Sequence, residues 1–347
     1  MASFRSKQLV CLPVSQRPWW EDVARSAEGM ETQQGVLAKR KPSTAAEQRA
    51  YWTSLRSATA VTSQPVQPSP GAAFAHPTSV RGAARTDEIV AKVLAKSPVP
   101  PSDLLSYLNS ELSSRVCLMD ADVTSCLKQL GLPENDYRGS RFKDPKVPLQ
   151  GDQDLLSLTQ PQQVGKVHRE SFMAGADICF TNTLAACKLG QEEYGLEACA
   201  FEMSRAAAQI AKEAAADAAA KDRRPRFVAG VLGPTSASLS SSPPGAGDAS
   251  SRTATWDEVV ESYREQVQGL VEGGVDLIAV MSIRDTLNAK AAIAASHEFC
   301  DRSGRERLPL ILSVALNEDG RLPSGQSLAA FLVSVRHAKP FAVGVEG

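Results

Sequence analysis

The chain has 347 residues, of which 38 are Lys or Arg and 39 are Asp or Glu, giving a formal net charge of −1. The two signs are mixed along the chain, which excludes the basic footprint of a nucleic-acid-binding protein and favours a small-molecule ligand. No apolar run approaches the roughly 20 residues that span a bilayer, and no secretory signal is evident. We therefore expect a cytoplasmic protein with no membrane and no nucleic-acid partner. The seven cysteines, an odd number in a long chain, argue against a disulfide framework.

Residues 1–101 differ in composition from the rest of the chain. They are rich in Ser, Ala, Gln and Pro and contain few aliphatic runs, so they cannot bury much of a core. We predict a disordered or weakly structured extension. Residues 1–20 carry basic residues and no Asp or Glu, which leaves an organellar transit segment open as the alternative to a cytoplasmic location.

From residue 102 onward, apolar runs alternate with amphipathic stretches. The predicted strands are residues 115–119, 176–180, 226–231, 276–280, 308–314 and 341–345. The predicted helices begin after Ser102, at Thr159 with Pro161, near Leu196, at a capping box of Thr255 and Glu258, at Asp285, and near Gln326. This alternation indicates an α/β fold with a parallel sheet. We predict a barrel of the (β/α)8 TIM type over residues 102–347, incomplete at about six of its eight strands.

One supersecondary unit occurs twice in the chain. FMAGADICFTNT at 172–183 and LVEGGVDLIAVMS at 270–282 both run from a helix end through glycine to a strand led by Asp. Each strand then ends in a polar elbow. In a barrel of alternating strands and helices, these elbows lie on the face where the active site is built.

Polar residues gather where the predicted strands end, and Ser313 and Glu346 are among them. The candidate substrate-binding residues are Asp120, Thr181, Asn182, Thr183, Gly233, Pro234, Thr235, Ser282 and Asp285. Convergent polar groups at strand ends are typical of a barrel binding site. Thr183 and Asp285 are equally well explained as helix caps. The glycines of GVLGPT could bring backbone N–H groups close to an anion.

Two other candidate sites are weaker. His168 lies within a predicted helix, at the opposite end from the elbows, so we interpret it as a surface or packing residue rather than a general base. Cys179, Cys187 and Cys199 lack CxxC spacing, which argues against a zinc site made by them. We predict no catalytic residue and no metal ligand among these side chains.

Several segments together resemble the homocysteine S-methyltransferase family. They are HRESFMAGADICFTNT, RFVAGVLGPT, EGGVDLIAVMSIRDTLNAKAAI and GRLPSGQSLAAFLVSVRHAKPFAVGV, in this order along the chain. With DYRGSRF at 136–142, the chain is most similar to the N-terminal homocysteine-binding domain of cobalamin-dependent methionine synthase. The resemblance implies a (β/α)8 barrel that binds homocysteine and takes part in methionine biosynthesis. It also implies a zinc ion, held by three cysteine thiolates, that activates the homocysteine thiol.

The chain departs from the family pattern at three places. The family's DGGMGT turn is represented by residues 120–125, of which only the leading Asp120 agrees. The family's Glu-Thr elbow, which helps to hold the amino-acid part of homocysteine, is Met281 and Ser282 here. The family's GLNC is represented by residues 344–347, which puts Gly347 at the first zinc cysteine, and the later cysteine pair has no counterpart. We therefore expect no cofactor bound by the chain as written, since the zinc ligands are missing.

Three functional hypotheses stay open. The first is a truncated homocysteine S-methyltransferase domain that acts on the homocysteine thiol. The second is a catalytically inactive pseudoenzyme with a binding or regulatory role. The third is an unrelated barrel enzyme that uses Asp120, Asp122 and Asp285 as an acid/base set, which requires these carboxylates to lie within reach of one another. An incomplete barrel has open edges at its first and last strands, so we also expect association through those edges.

Overall fold

The computed structural model describes residues 12–13, 104–120, 123–143, 146–240 and 253–346. The predicted extension over residues 1–101 lies outside the described residues, apart from residues 12–13. Ser102, Asp122 and Gly347 also lie outside them.

Six strands form one sheet. They are β1 (Leu12–Pro13), β2 (Ile178–Phe180), β3 (Phe227–Leu232), β4 (Leu277–Ile283), β5 (Leu310–Ala315) and β6 (Ala342–Glu346). Their order in the sheet is β1-β6-β5-β4-β3-β2. The strands β2 to β6 are parallel and follow one another in chain order, whereas β1 pairs antiparallel with β6. Parallel neighbours in chain order, each pair joined by a helical connection, are the arrangement of a TIM-type barrel over part of its circumference.

Ten α-helices lie among the described residues. They are α1 (Leu104–Ser114), α2 (Val123–Gln129), α3 (Glu134–Arg138), α4 (Leu156–Thr159), α5 (Pro161–Met173), α6 (Lys188–Gln191), α7 (Ala200–Asp222), α8 (Trp256–Gly273), α9 (Thr286–Arg302) and α10 (Leu328–Val335). None of the helices in the described ranges is long and apolar enough to cross a membrane.

The predicted helix starts are confirmed where a side chain caps the helix. Thr255 and Glu258 form the complete capping box of α8, and Asp285 caps α9. The start at Thr159 is wrong, because Thr159 ends α4 and Gln160 precedes Pro161 without a side-chain cap. The predicted first strand is reduced to one bridge, Met119 to Ile178.

The two copies of the repeated unit place their leading aspartates in the same role. The carboxylate of Asp177 accepts a hydrogen bond of 2.9 Å from Leu118 N, in the segment beside β2, and Arg115 pairs with it at 2.8 Å. The carboxylate of Asp276 accepts one of 2.8 Å from Val228 N of β3, and Lys212 pairs with it. Each carboxylate therefore fixes its own strand to the backbone of the preceding one.

Two apolar layers cover the two faces of the sheet. The interior cluster combines α1 with every second residue of the strands, including Leu108, Ile178, Phe180, Ala229, Leu277, Ala279, Ile311 and Ala342. The helix-layer cluster lies around α2, α4, α5 and α7 and includes Leu127, Leu156, Val164, Val167 and Met203. Alternation along β2 therefore turns Ile178 and Phe180 to the interior cluster and Cys179 away from it.

The edge of β6 was expected to be open, and the structure corrects this for part of the strand. Leu12 and Pro13 pair with Val343 and Ala342, the first two residues of β6. Extra backbone pairing at an edge removes exposed donors and acceptors that would otherwise bind another chain.

Candidate functional site

The elbow after β4 carries the strongest sign of a binding site. A register shift between Val280 and Ile283 marks a β-bulge, and Ser282 within it has φ +52°. Positive φ is unusual for a serine and is sustained only when surrounding contacts hold it. Here the contact is Glu346 at the end of β6: its carboxylate accepts hydrogen bonds from Ser282 N (2.9 Å) and Ser282 Oγ (2.7 Å).

Ser313 of β5 adds a second polar group at the same level of the sheet. It lies between Leu312 and Val314, the two β5 residues that pair across the bulge of β4. Alternation puts Ser313 on the same face as Ile311, which belongs to the interior cluster. The hydroxyl is buried and has no hydrogen-bond partner among the described residues. A buried hydroxyl without a partner is unusual, because buried polar groups are nearly always hydrogen-bonded.

The threonines that follow β2 are engaged with β3. Thr181 Oγ1 accepts a hydrogen bond of 2.9 Å from Val231 N, Thr183 Oγ1 donates one of 2.8 Å to Val231 O, and the two hydroxyls lie 2.7 Å apart. Asn182 Nδ2 donates to Gln153 O at 2.6 Å. The three side chains therefore extend the strand pairing and anchor a neighbouring loop, and Thr183 is not the cap of a following helix, which starts at Lys188.

Gly233 is required by the local packing. A Cβ at this position would lie 2.0 Å from the carbonyl oxygen of Leu184. The carbonyl oxygen of Gly233 accepts a hydrogen bond of 2.7 Å from Tyr263. Thr235 Oγ1 donates to Ala237 O at 2.7 Å, and Pro234 beside it is half-buried. These residues shape the elbow after β3.

Asp285 acts as a helix cap and as the anchor of a loop. Its carboxylate accepts hydrogen bonds from Leu287 N (2.8 Å), Ser240 N (2.8 Å), Ser240 Oγ (2.6 Å) and Ser238 Oγ (2.6 Å). Burial raises the pKa of Asp285, but these hydrogen bonds outweigh it and hold the pKa below its usual value. With both oxygens engaged, Asp285 is a structural residue of the mouth.

Two carboxylates that were not predicted lie buried in the loop before α4. Burial raises the pKa of Asp152 to about 6 and that of Asp154, where the charge of Asp152 adds to the effect, to about 8. Gln191 Nε2 donates to Asp152 Oδ1 at 3.3 Å, and Ala185 N donates to Asp154 Oδ2 at 2.8 Å. The only sequence signal was a pair of acidic residues next to the apolar Leu155 and Leu156, which is weak.

Asp120, His168 and Cys179 lie together, with one potential ligand atom from each within 4.8 Å of the others. Asp120 Oδ1 accepts a hydrogen bond of 3.0 Å from Phe180 N. His168 was predicted to lie away from the strand-end residues, and its position beside Asp120 corrects that placement, whereas its burial agrees with a packing residue. The helix α5 runs back along the sheet, so the middle of the helix lies beside the middle of β2. His168 is fully buried.

The zinc site that the resemblance implies does not fit the described residues. In the described ranges, one group of three or more possible ligands lies together, and it contains a single cysteine. Four of the described cysteines are buried, namely Cys179, Cys187, Cys199 and Cys300. Burial raises the pKa of each of these four thiols.

Comparisons with known proteins agree with this fold. Among solved structures, the chain is similar to the homocysteine methyltransferase MmuM from Escherichia coli. The oxidized form is 18% identical, with 67% of this chain and 73% of that chain covered and a TM-score of 0.51. The metallated form is 18% identical, with 65% and 73% covered and a TM-score of 0.48. The model of the family described as homocysteine S-methyltransferase matches residues 119–346. The chain belongs to the homocysteine S-methyltransferase family.

Proposed function

We propose that the chain binds homocysteine at the carboxyl ends of its strands, as a homocysteine S-methyltransferase-type domain. The observation that carries the proposal is the Glu346 carboxylate at the mouth of the barrel, held there by both donors of Ser282. The family's Glu-Thr elbow is absent from β4, where Met281 packs against the interior cluster. Glu346 supplies a carboxylate next to that elbow from another strand.

The chemistry of the site suits the amino-acid end of homocysteine. An ammonium group placed against Glu346 makes a charge-assisted hydrogen bond, which contributes about 1.5–3 kcal/mol. Because the backbone of Ser282 is in the left-handed region, its N–H points toward Glu346 and holds the carboxylate in place.

The reaction proposed for this domain is methyl transfer to the homocysteine thiol, which yields methionine in the cytoplasm. Within the family, the DYRGSRF segment supports a relationship to the homocysteine-binding domain of cobalamin-dependent methionine synthase. No step of the reaction is assigned to zinc, because the described residues do not fit a site of three thiolates. What the described residues supply is binding and orientation of the amino acid.

A direct test measures homocysteine binding by calorimetry under reducing conditions. Glu346→Gln should weaken binding by about 10- to 150-fold, whereas Glu306→Gln should leave it unchanged. Glu306 is exposed and precedes β5, so it lies at the amino-terminal end of the strands, opposite to Glu346. The deaminated analogue 4-mercaptobutyrate should bind wild type and Glu346→Gln equally weakly. Equal homocysteine affinity in wild type and Glu346→Gln would refute the role of Glu346.

The second candidate function is a pseudoenzyme that binds homocysteine and regulates a partner. The observation that favours it is the presence of Met281 and Ser282 where the resemblance implies a Glu-Thr elbow. Methionine formation from homocysteine with methylcobalamin or a sulfonium methyl donor separates the two candidates. Turnover supports the methyltransferase, and binding without turnover under the same conditions supports the pseudoenzyme.

A further inference from the structure

A polar cluster lies between α5 and β2, outside the barrel interior. The cluster consists of Asp120, His168 and Cys179. Because Ile178 and Phe180 turn toward the interior cluster, Cys179 between them turns toward α5, which carries His168. The cluster is therefore separate from the homocysteine site proposed at the barrel mouth.

His168 is the unusual member of the cluster. Its side chain is 0% exposed, and neither Nδ1 nor Nε2 has a hydrogen-bond partner among the described residues. Burying a polar group without a partner costs about 1–3 kcal/mol by protein mutational data. A neutral imidazole carries one donor and one lone pair, and the lone pair is what a metal ion uses.

We propose that Asp120, His168 and Cys179 bind one divalent transition-metal ion with the coordination chemistry of zinc. The ligand set of one thiolate, one imidazole and one carboxylate is of the kind that zinc accepts. The three ligand atoms lie within 4.8 Å of one another. Ligands held by one zinc stand roughly 3.5 Å apart, so side-chain shifts of about 1 Å close the group around the ion.

Charge balance supports a metal ion in this buried place. Metal binding forms a bond to Cys179 Sγ and releases the thiol proton to solvent, so the site contains one thiolate, one carboxylate and a dication. The net charge of the group is then zero, which limits the cost of burying it.

The arrangement also defines the fourth coordination position. Three protein ligands leave one position of a tetrahedron for water. Cys179 and His168 are fully buried, whereas Asp120 is half-buried at the end of its segment. The ion therefore enters, and the water is held, on the Asp120 side of the cluster.

The experiment is a Co2+ titration of the full chain after metal removal with a chelator. We expect one equivalent of Co2+ to bind, with a near-ultraviolet thiolate-to-cobalt charge-transfer band that Zn2+ abolishes by displacement. Cys179→Ser should lose this band, and His168→Gln should weaken Co2+ binding at least about tenfold, since even changes behind a ligand cost that much. Cys300→Ser is the matched control, a buried cysteine on α9, and should keep the band.

Two results would overturn the proposal. The first is a wild-type protein that is folded by near-ultraviolet circular dichroism and gives no charge-transfer band. The second is a band of unchanged strength in Cys179→Ser, which would assign the metal to another thiol. If Cys179→Ser does not fold, the test uses His168→Gln and measures the Tm with and without Zn2+. Zn2+ should raise the Tm of wild type and of Cys300→Ser, but not the Tm of His168→Gln. An equal rise in all three proteins would refute the site.

Discussion

Replacing Lys212 by Met should destabilise the fold far more than the loss of a surface ion pair. Lys212 lies on α7, and its Nζ is 2.8 Å from each carboxylate oxygen of Asp276. The two side chains are only 4% and 11% exposed. Methionine keeps the length and volume of the lysine side chain, so the substitution removes the charge and leaves little cavity.

The magnitude follows from what remains around Asp276. Without Lys212, the retained donor to its carboxylate is Val228 N at 2.8 Å. Removing one partner of a buried ion pair costs about 3–5 kcal/mol, because the other charge stays buried and unpaired. For a folded region of this size, each kcal/mol lowers the Tm by about 2–4 °C, so the expected fall is roughly 6–20 °C.

The assay is urea unfolding at pH 7, followed by circular dichroism. Arg307→Met is the control: Arg307 and Asp301 pair at 2.5 Å but are 52% and 51% exposed, so its loss should cost less than about 1 kcal/mol. The double variant Lys212→Met with Asp276→Asn should recover part of the stability, since no charge is then left buried. A Lys212→Met protein within about 1 kcal/mol of wild type, at an unchanged slope with urea, would refute the reasoning.

Three further perturbations test other parts of the molecule. Gly233→Ala should lower the free energy of unfolding by at least about 2 kcal/mol in urea, because its Cβ would lie 2.0 Å from Leu184 O. Asp285→Ala should cost about 2–4 kcal/mol in the same assay, through loss of a helix cap and of charge-assisted hydrogen bonds. Stability should also fall as pH rises from about pH 7 to pH 8, since burial raises the pKa of Asp154 to about 8. The raised pKa of Asp152, about 6, acts at lower pH, where the lowered pKa of His168, about 4, opposes it. Asp154→Asn should flatten the slope above about pH 7 in unfolding curves taken at several pH values.

The sign of the pH effect follows from proton linkage. A carboxyl whose pKa is raised on folding binds more protons in the folded state, so its favourable contribution is complete below the unfolded pKa and is lost as pH rises through the folded pKa. The slope is about 1.4 kcal/mol per pH unit for each such group. Stability that is constant or rises from about pH 7 to pH 8 would contradict the prediction for Asp154. A free energy of unfolding close to that of wild type, in Gly233→Ala or in Asp285→Ala, would contradict the prediction for that residue.

The order of the elements could be predicted from the sequence because it depends on local signals. The capping box of Thr255 and Glu258 and the cap at Asp285 were both found from residue type and spacing. The start at Thr159 failed, because Pro161 begins a helix without help from a side-chain cap and a short helix precedes it. Local patterns therefore predicted the presence of each helix more reliably than its first and last residues.

The candidate site was less predictable, because its contacts join distant parts of the chain. Glu346 is 64 residues from Ser282, and their contact depends on a bulge in β4 that no alternation pattern indicates. The neighbours of His168 were not predicted, because a sequence shows which residues share a face of a helix but not which strand residues lie beside each turn. Family membership was predictable, since it rests on several segments in a fixed order.

The paired roles of Asp177 and Asp276 bear on how such a barrel can change its chemistry. Both carboxylates set the alignment of neighbouring strands at the end of the sheet where strands begin. Because the strands are aligned at that end, their alignment does not depend on which side chains occupy the carboxyl ends of the strands. A lineage can then exchange residues at the mouth, as with Met281 in place of a glutamate, without sliding one strand past the next. Substrate preference and architecture are thereby free to evolve at separate rates.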